Sequence, residues 1–218
     1  MLKCKVPVAF FLVFAQASMA GVWASSAFAQ EVPGCGSIEN AYGPFDYRDP
    51  VAKSEKLHIV EIHHYTASVA NLTKGITGMV IDELDYTLRA FPNHHPALQS
   101  VSRFALEGGK FRSEVIPSAD CYFRRAITFQ PDDQMVRILY GNYLIRSGQP
   151  NEAREQYETA LRIAPESPEI NYNAGLFYLR MNDIETARRL ADKAYAAGYP
   201  LPGLRKKLEE ATANTKTR

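Results

Sequence analysis

The feature that most constrains this chain is an interval of 34 residues that returns through its C-terminal half. Gly141 recurs as Gly175, Ala153 as Ala187, Ala160 as Ala194 and Pro131 as Pro165. One step upstream, Ala119, Phe123 and Ala126 precede Ala153, Tyr157 and Ala160 by the same interval. Such a period is one helix-turn-helix unit copied and stacked, which makes an all-α helical-hairpin solenoid and not a compact enzyme core. It speaks to architecture more than to chemistry, since stacks of this kind act mainly by holding other proteins.

Within one unit the small residues have a physical reason. Gly141 and Ala153 permit two helices to cross closely, and a larger side chain would force them apart. Tyr157 fills the space between the pair and its neighbour, and Pro165 stops the helix and turns the chain. The next unit repeats the scheme with Gly175, Tyr178, Ala187, Ala191 and Ala194, its turn proline displaced to Pro200. Start and stop signals then place helices from Pro96 to about Glu107, Ser118 to Phe129, Gln134 to Ser147 and Pro150 to Ile163. Others follow from Pro168 to near Met181, Ile184 to Ala197 and Leu201 to about Ala211.

The N-terminal side is less regular. Residues 30–56 are rich in Gly, Pro, Tyr and Asp and predict an irregular arm, whose Tyr42, Phe45 and Tyr47 suit it for packing against something. Apolar spacing over Leu57–Leu72 predicts a helix, although the β-branched run at 58–62 leaves a short strand open. A second helix is expected from about Met79 to Phe91.

The spacing of Gly141, Ala153, Tyr157, Ala160 and Pro165 resembles the tetratricopeptide repeat family of 34-residue helical hairpins. The resemblance is carried by 134–167 and 168–200. It extends to 96–131 if five residues are inserted around Gly108–Pro117, and to a divergent hairpin within 57–95. Residues 201–218 are then a capping helix and a disordered tail. The family implies a concave groove lined by the first helix of each hairpin, which holds a protein or peptide. The matching positions include Arg103, Ile138, Asn142, Ile145, Tyr172, Asn173, Leu176, Arg180 and Lys207. Some members grip a terminal carboxylate with asparagine and lysine; Ile138 stands where such a lysine belongs, so that clamp is incomplete here. The stretches 85–95, 43–48 and 63–65 are similar to exported bacterial repeat proteins, which implies a Gram-negative source and a periplasmic or surface location.

Bulk properties narrow the class further. Residues 1–29 read as a cleaved signal peptide: Lys3 and Lys5, an apolar run from Val6 to Ala20, then Ala27-Phe28-Ala29. A retained membrane anchor is the competing reading, for which the apolar run is short. Removing the leader leaves 23 basic against 24 acidic residues. That balance, with no basic stripe, argues against nucleic acid as a partner. No later segment is apolar enough to span a membrane. Cys35 and Cys121 remain, and in an exported chain two cysteines most simply form one disulfide, two unpaired thiols being the alternative.

All five histidines fall between His58 and His95. His63, His64, His94 and His95 are candidate ligands for zinc or copper if the two pairs converge. Adjacent histidines on a helix point about 100° apart, however, so each pair offers one ligand easily to one metal. The plainer reading is that these rings cap helices and bond backbone. Asp82, Glu83 and Asp85 beside Tyr86 are conceivable acid–base groups, but acidic residues in a helix's first turn commonly answer its dipole. No nucleophile motif or phosphate loop accompanies them, and no cofactor or enzymatic activity is expected.

Overall fold

The computed structural model describes residues 30–114, 116 and 118–216. The expected leader at 1–29 and the end of the expected tail, 217–218, lie outside them. Two short strands, β1 (Glu31–Val32) and β2 (Gly36–Ser37), pair antiparallel. Helix α1 (Pro50–Ala52) passes through a π-helical stretch, Lys53–Leu57, into α2 (His58–His64). After α3 (Ala67–Ala70) come α4 (Val80–Ala90), α5 (His95–Leu106) and α6 (Ala119–Phe129). The remainder is α7 (Gln134–Arg146), α8 (Pro150–Ile163), α9 (Pro168–Arg180), α10 (Ile184–Ala196) and α11 (Gly203–Lys216). This is an all-α helical-hairpin solenoid with an N-terminal arm.

Local chemistry explains where the helices begin. Asp133, Ser167 and Asp183 accept backbone N–H groups at the starts of α7, α9 and α10, and Pro150 and Pro168 occupy first-turn positions. The same devices correct the expected arm. Asp49 accepts from the Val51 N–H and Pro50 follows it, so helix starts at Pro50 and not near Leu57. The open strand option at 58–62 is not taken. The helix expected through Leu72 breaks at Tyr65-Thr66, and Leu72 takes a left-handed φ of 62°. At the other end α11 runs to Lys216, past the expected boundary at Ala211.

Two hairpins form the regular part of the stack: α7 lies along α8, and α9 along α10. Ala153, Ala160, Ala187 and Ala194 are fully buried between them. The Tyr157 ring covers Gly141 and stacks on Phe177 of the next hairpin at 4.3 Å, with planes 15° apart. One period earlier Phe123 stacks on Tyr143 at 5.8 Å. One period later both places hold alanine, Ala191 and Ala211, and a hollow of about 640 Å³ opens between α10 and α11. The stack of aromatic pairs therefore ends where α11 takes the place of a further first helix.

The arm is fastened to the outside of this stack. Cys35 and Cys121 form a disulfide across 86 residues, a span whose closure restrains the unfolded chain by about 4–5 kcal/mol in the entropy model. Arg125, 2% exposed, donates to the Cys35 and Ser37 carbonyls. Phe45 packs on Phe91 while its N–H donates to the Ala90 carbonyl at 2.9 Å.

The two repeat glycines differ in what surrounds them. A Cβ on Gly141 would lie 2.7 Å from the Tyr157 ring, whereas on Gly175 it would meet a δ-methyl at the end of the buried Leu204 side chain. Gly141→Ala is expected to cost about 1–2 kcal/mol, overpacking outweighing the gain in helix propensity. Gly175→Ala is expected to be within about 0.5 kcal/mol of neutral, because Leu204 can turn aside as helix propensity improves. Urea unfolding of the two variants checks this contrast, and equal losses would refute it.

Candidate functional site

The first helices α5, α7 and α9 lie side by side, and a cavity of about 250 Å³ opens between α5 and α7. Gln99, Ser102, Arg103 and Leu106 line it from α5; Leu139, Asn142, Tyr143 and Arg146 line it from α7. Leu106, Leu139 and Tyr143 give it an apolar floor, while Gln99, Asn142 and Arg146 stand exposed at its rim. The Tyr157 hydroxyl donates to Asn142 Oδ1 at 2.7 Å, so the rim is fixed to the core of the hairpin. Burial raises the Tyr157 phenol above its ordinary range, against the pull of the Arg180 charge. On the α5 side Arg103 donates to the Ala70 carbonyl at the end of α3, as does Ser100. The arm's bonds to the rest of the chain fall on the end of α4, on α6 and on the turns before α5 and α7, on residues other than those lining the cavity.

Nine groove positions were expected, and the structure sorts them. Arg103 and Asn142 line the α5–α7 cavity. Ile145 and Leu176 are half-buried against the core, and Asn173 bonds back to its own helix at the Glu169 carbonyl. Arg180 and Lys207 are exposed. Ile138 and Tyr172 are corrections. Ile138 is 1% exposed, because α7 packs against α5, α6, α8 and α9 and is apolar on nearly every side. Tyr172 packs its ring on Tyr199 at 4.4 Å, beneath the cap made by α11. Sequence reasoning missed Gln99, Ser102, Leu106, Leu139, Tyr143 and Arg146. The period itself held a signal for the last of these, since Arg146 and Arg180 are 34 residues apart.

The histidines are dispersed onto separate carboxylates. His64 Nδ1 pairs with Glu83 at 2.7 Å, His94 Nε2 with Glu61 at 3.2 Å and His95 Nε2 with Asp133 at 2.9 Å. His63 is exposed. Among the described residues no three His, Cys, Asp or Glu side chains are grouped to hold a metal ion. The four candidate ligands are thus not brought to one point. His94 instead caps α5: its Nδ1 accepts the Ala97 N–H, which leaves the ring proton on Nε2 to donate to Glu61. Asp133 caps α7 and collects Asn93, His95 and Arg48. Burial alone would raise its carboxyl, but His95, Asn93 and the Val136 N–H outweigh it and hold it below the usual range.

The acidic group on α4 has a structural role as well. Glu83, 3% exposed, accepts from the Ile76 and Thr77 N–H groups and the Thr77 hydroxyl. It fixes the loop before α4 and, through His64, the end of α2. Asp82 closes the first turn by accepting the Met79 N–H, and Asp85 accepts from the buried Tyr122 hydroxyl.

Residues 141–182 match the sequence model of the family described as TPR repeat. The stretch 141–182 carries a tetratricopeptide repeat. The chain is also similar to protein O-mannosyl-transferase TMTC3 of Mus musculus, 26% identical over 112 residues, and of Homo sapiens, 24% over 112 residues. Each alignment covers 51% of this chain, and the chain spans only 12% of the length of these relatives. Tetratricopeptide repeats are associated with protein–protein interaction, and among the described residues no helix is long and apolar enough to cross a membrane.

Burial drives the His94 imidazole below its ordinary range, against the opposing pull of Glu61. A folded-state pKa below the unfolded value near 6.5 means that the unfolded chain takes up the proton first. Stability from this ring is therefore complete above about pH 6.5 and is lost as pH falls below it. His94→Asn keeps an acceptor for the Ala97 N–H but cannot protonate. Its urea midpoint is expected to be lower than the parent's at pH 7, with a smaller further drop at pH 5. Parallel losses in both proteins would contradict this.

Proposed function

We propose that this chain is an exported scaffold that holds a segment of a protein partner in the groove formed by α5, α7 and α9, and that it works by binding and not by catalysis. The observation that carries the reading is the open α5–α7 cavity, built by successive first helices and left free by the arm. An apolar floor within a fixed polar rim suits a short stretch of polypeptide, whose side chains enter the floor while its backbone bonds the rim. Export is supported by the Cys35–Cys121 disulfide, a bond that persists in oxidising compartments, and by the leader pattern at 1–29. Together with the resemblance of 85–95 to exported bacterial proteins, this favours a role in cell-envelope or surface-appendage assembly in the periplasm or at the surface of a Gram-negative cell.

A photocrosslinking amino acid placed at Asn142, on the groove rim, tests the reading directly in intact cells. It is expected to yield a discrete adduct with another protein, whereas the same group at exposed Glu155 on α8 yields none. Adding Gln99→Trp, which fills the cavity from α5, is expected to abolish the adduct. Equal adducts at Asn142 and Glu155, or none at either, would remove the groove from consideration.

A further inference from the structure

We infer that the segment held in this groove is acidic, an extended stretch whose side-chain carboxylates recur about every third residue. The inference rests on the groove reading above and adds the chemistry of the occupant. Its basis is a row of guanidinium groups. Arg103, Arg146 and Arg180 all lie in the last turn of their helices, α5, α7 and α9, the three that form the groove. Arg103 and Arg146 line the α5–α7 cavity, and no Asp or Glu lines it with them. Arg180 stands one period after Arg146, and its charge is felt at the Tyr157 hydroxyl that bonds Asn142 on the rim.

The placement of these cations sets them apart more than their freedom does, since Arg137, Arg154, Arg162, Arg188, Arg189 and Arg205 also lack a carboxylate partner among the described residues. Arg48, Arg89, Arg112 and Arg124 each meet a carboxylate of this chain. Among the described residues Arg146 and Arg180 meet none within 4.0 Å, and both are exposed. Arg103 spends one nitrogen on the Ala70 carbonyl and keeps further donors. Each arginine does oppose the negative end of its own helix, an effect of roughly 0.3–1 kcal/mol. That interaction requires only charge in the last turn and leaves the planar N–H groups open to a carboxylate. Neighbouring packed helices lie about 8–10 Å apart, which an extended chain rising about 3.3 Å per residue crosses in roughly three residues. Side chains between the carboxylates then face the floor of Leu106, Leu139 and Tyr143, so the segment alternates apolar and acidic groups. No free C-terminus is needed.

Fluorescence anisotropy with two capped, amidated peptides tests this on the purified protein. One peptide carries glutamate at every third position between leucine and serine; its twin carries glutamine there. The acidic peptide is expected to bind at least tenfold more tightly, with an advantage that shrinks as salt rises. Arg146→Gln and Arg180→Gln together are expected to erase that advantage without altering affinity for the twin, while the double lysine variant keeps most of it. Circular dichroism confirms that the variants remain helical. Equal binding of the two peptides, indifference of the acidic peptide to the double glutamine variant, or no binding of either overturns the inference. Gln99→Trp separates the two levels. If it blocks both peptides equally well bound, the groove stands and its acidic preference falls; if it blocks neither, the groove reading falls too.

Discussion

One buried contact organises the regular part of this protein: the flat stacking of an aromatic ring from the second helix of one hairpin on a ring from the first helix of the next. Tyr157 on Phe177 and Phe123 on Tyr143 are the same contact one period apart. Such pairs contribute about 0.5–1.5 kcal/mol beyond the area they bury, but their geometric effect is larger than that figure. The Tyr157 ring lies over Gly141 within its own hairpin, against Phe177 across the joint, and bonds Asn142 through its hydroxyl. It sets the crossing of α7 and α8, the offset of α9 and the position of the groove rim together. Any shift at this ring would move the cavity wall, so packing and the candidate site are one problem here.

The N-terminal arm solves a different difficulty. A solenoid whose hairpins touch only their neighbours leaves its first unit half-covered. In this chain the cover comes from the disulfide to α6, from Arg125 under the short strand pair, and from the Asp46, Asn93 and Asp133 cluster at the turns. Asp133 is deeply buried and Asp46 half-buried, and both are engaged, which is the condition under which buried polar groups are tolerated. The three histidines at 64, 94 and 95 belong to this cover. Each connects two elements through an acid, which accounts for their density in the sequence without a metal.

Much of the fold was legible beforehand because small and aromatic residues at one spacing leave few ways to pack. The caps at Asp133, Ser167 and Asp183 were equally plain, since their signal lies within a few residues. What escaped was long-range. Nothing near Tyr172 announces that α11 will close over it, whereas the pairing of Cys35 with Cys121 on α6 was expected from the cysteine count. Ile138 was misplaced by reading a family position without asking how apolar its helix is as a whole; the run from Met135 to Ile145 is polar only at Arg137 and Asn142, and a helix so apolar is largely enclosed. The N-terminal helix was placed too late because Asp49-Pro50, a strong start signal, fell in a stretch read as an irregular arm.

The charge of the groove follows from the repeat itself. A residue suited to the end of one first helix is copied into the next, so a basic residue favoured there by the helix dipole becomes a row of basic residues along the groove. On an isolated helix such a side chain is a local adjustment and is screened within about 8–10 Å in physiological salt. Repeated across neighbouring helices at a comparable distance, the same side chains act on one ligand together, and their fields overlap over an apolar floor where water is fewer and screening weaker. Stability at helix ends and selectivity along the groove then come from the same atoms. That is why the register of Arg146 and Arg180, more than the presence of either, gives the groove its character.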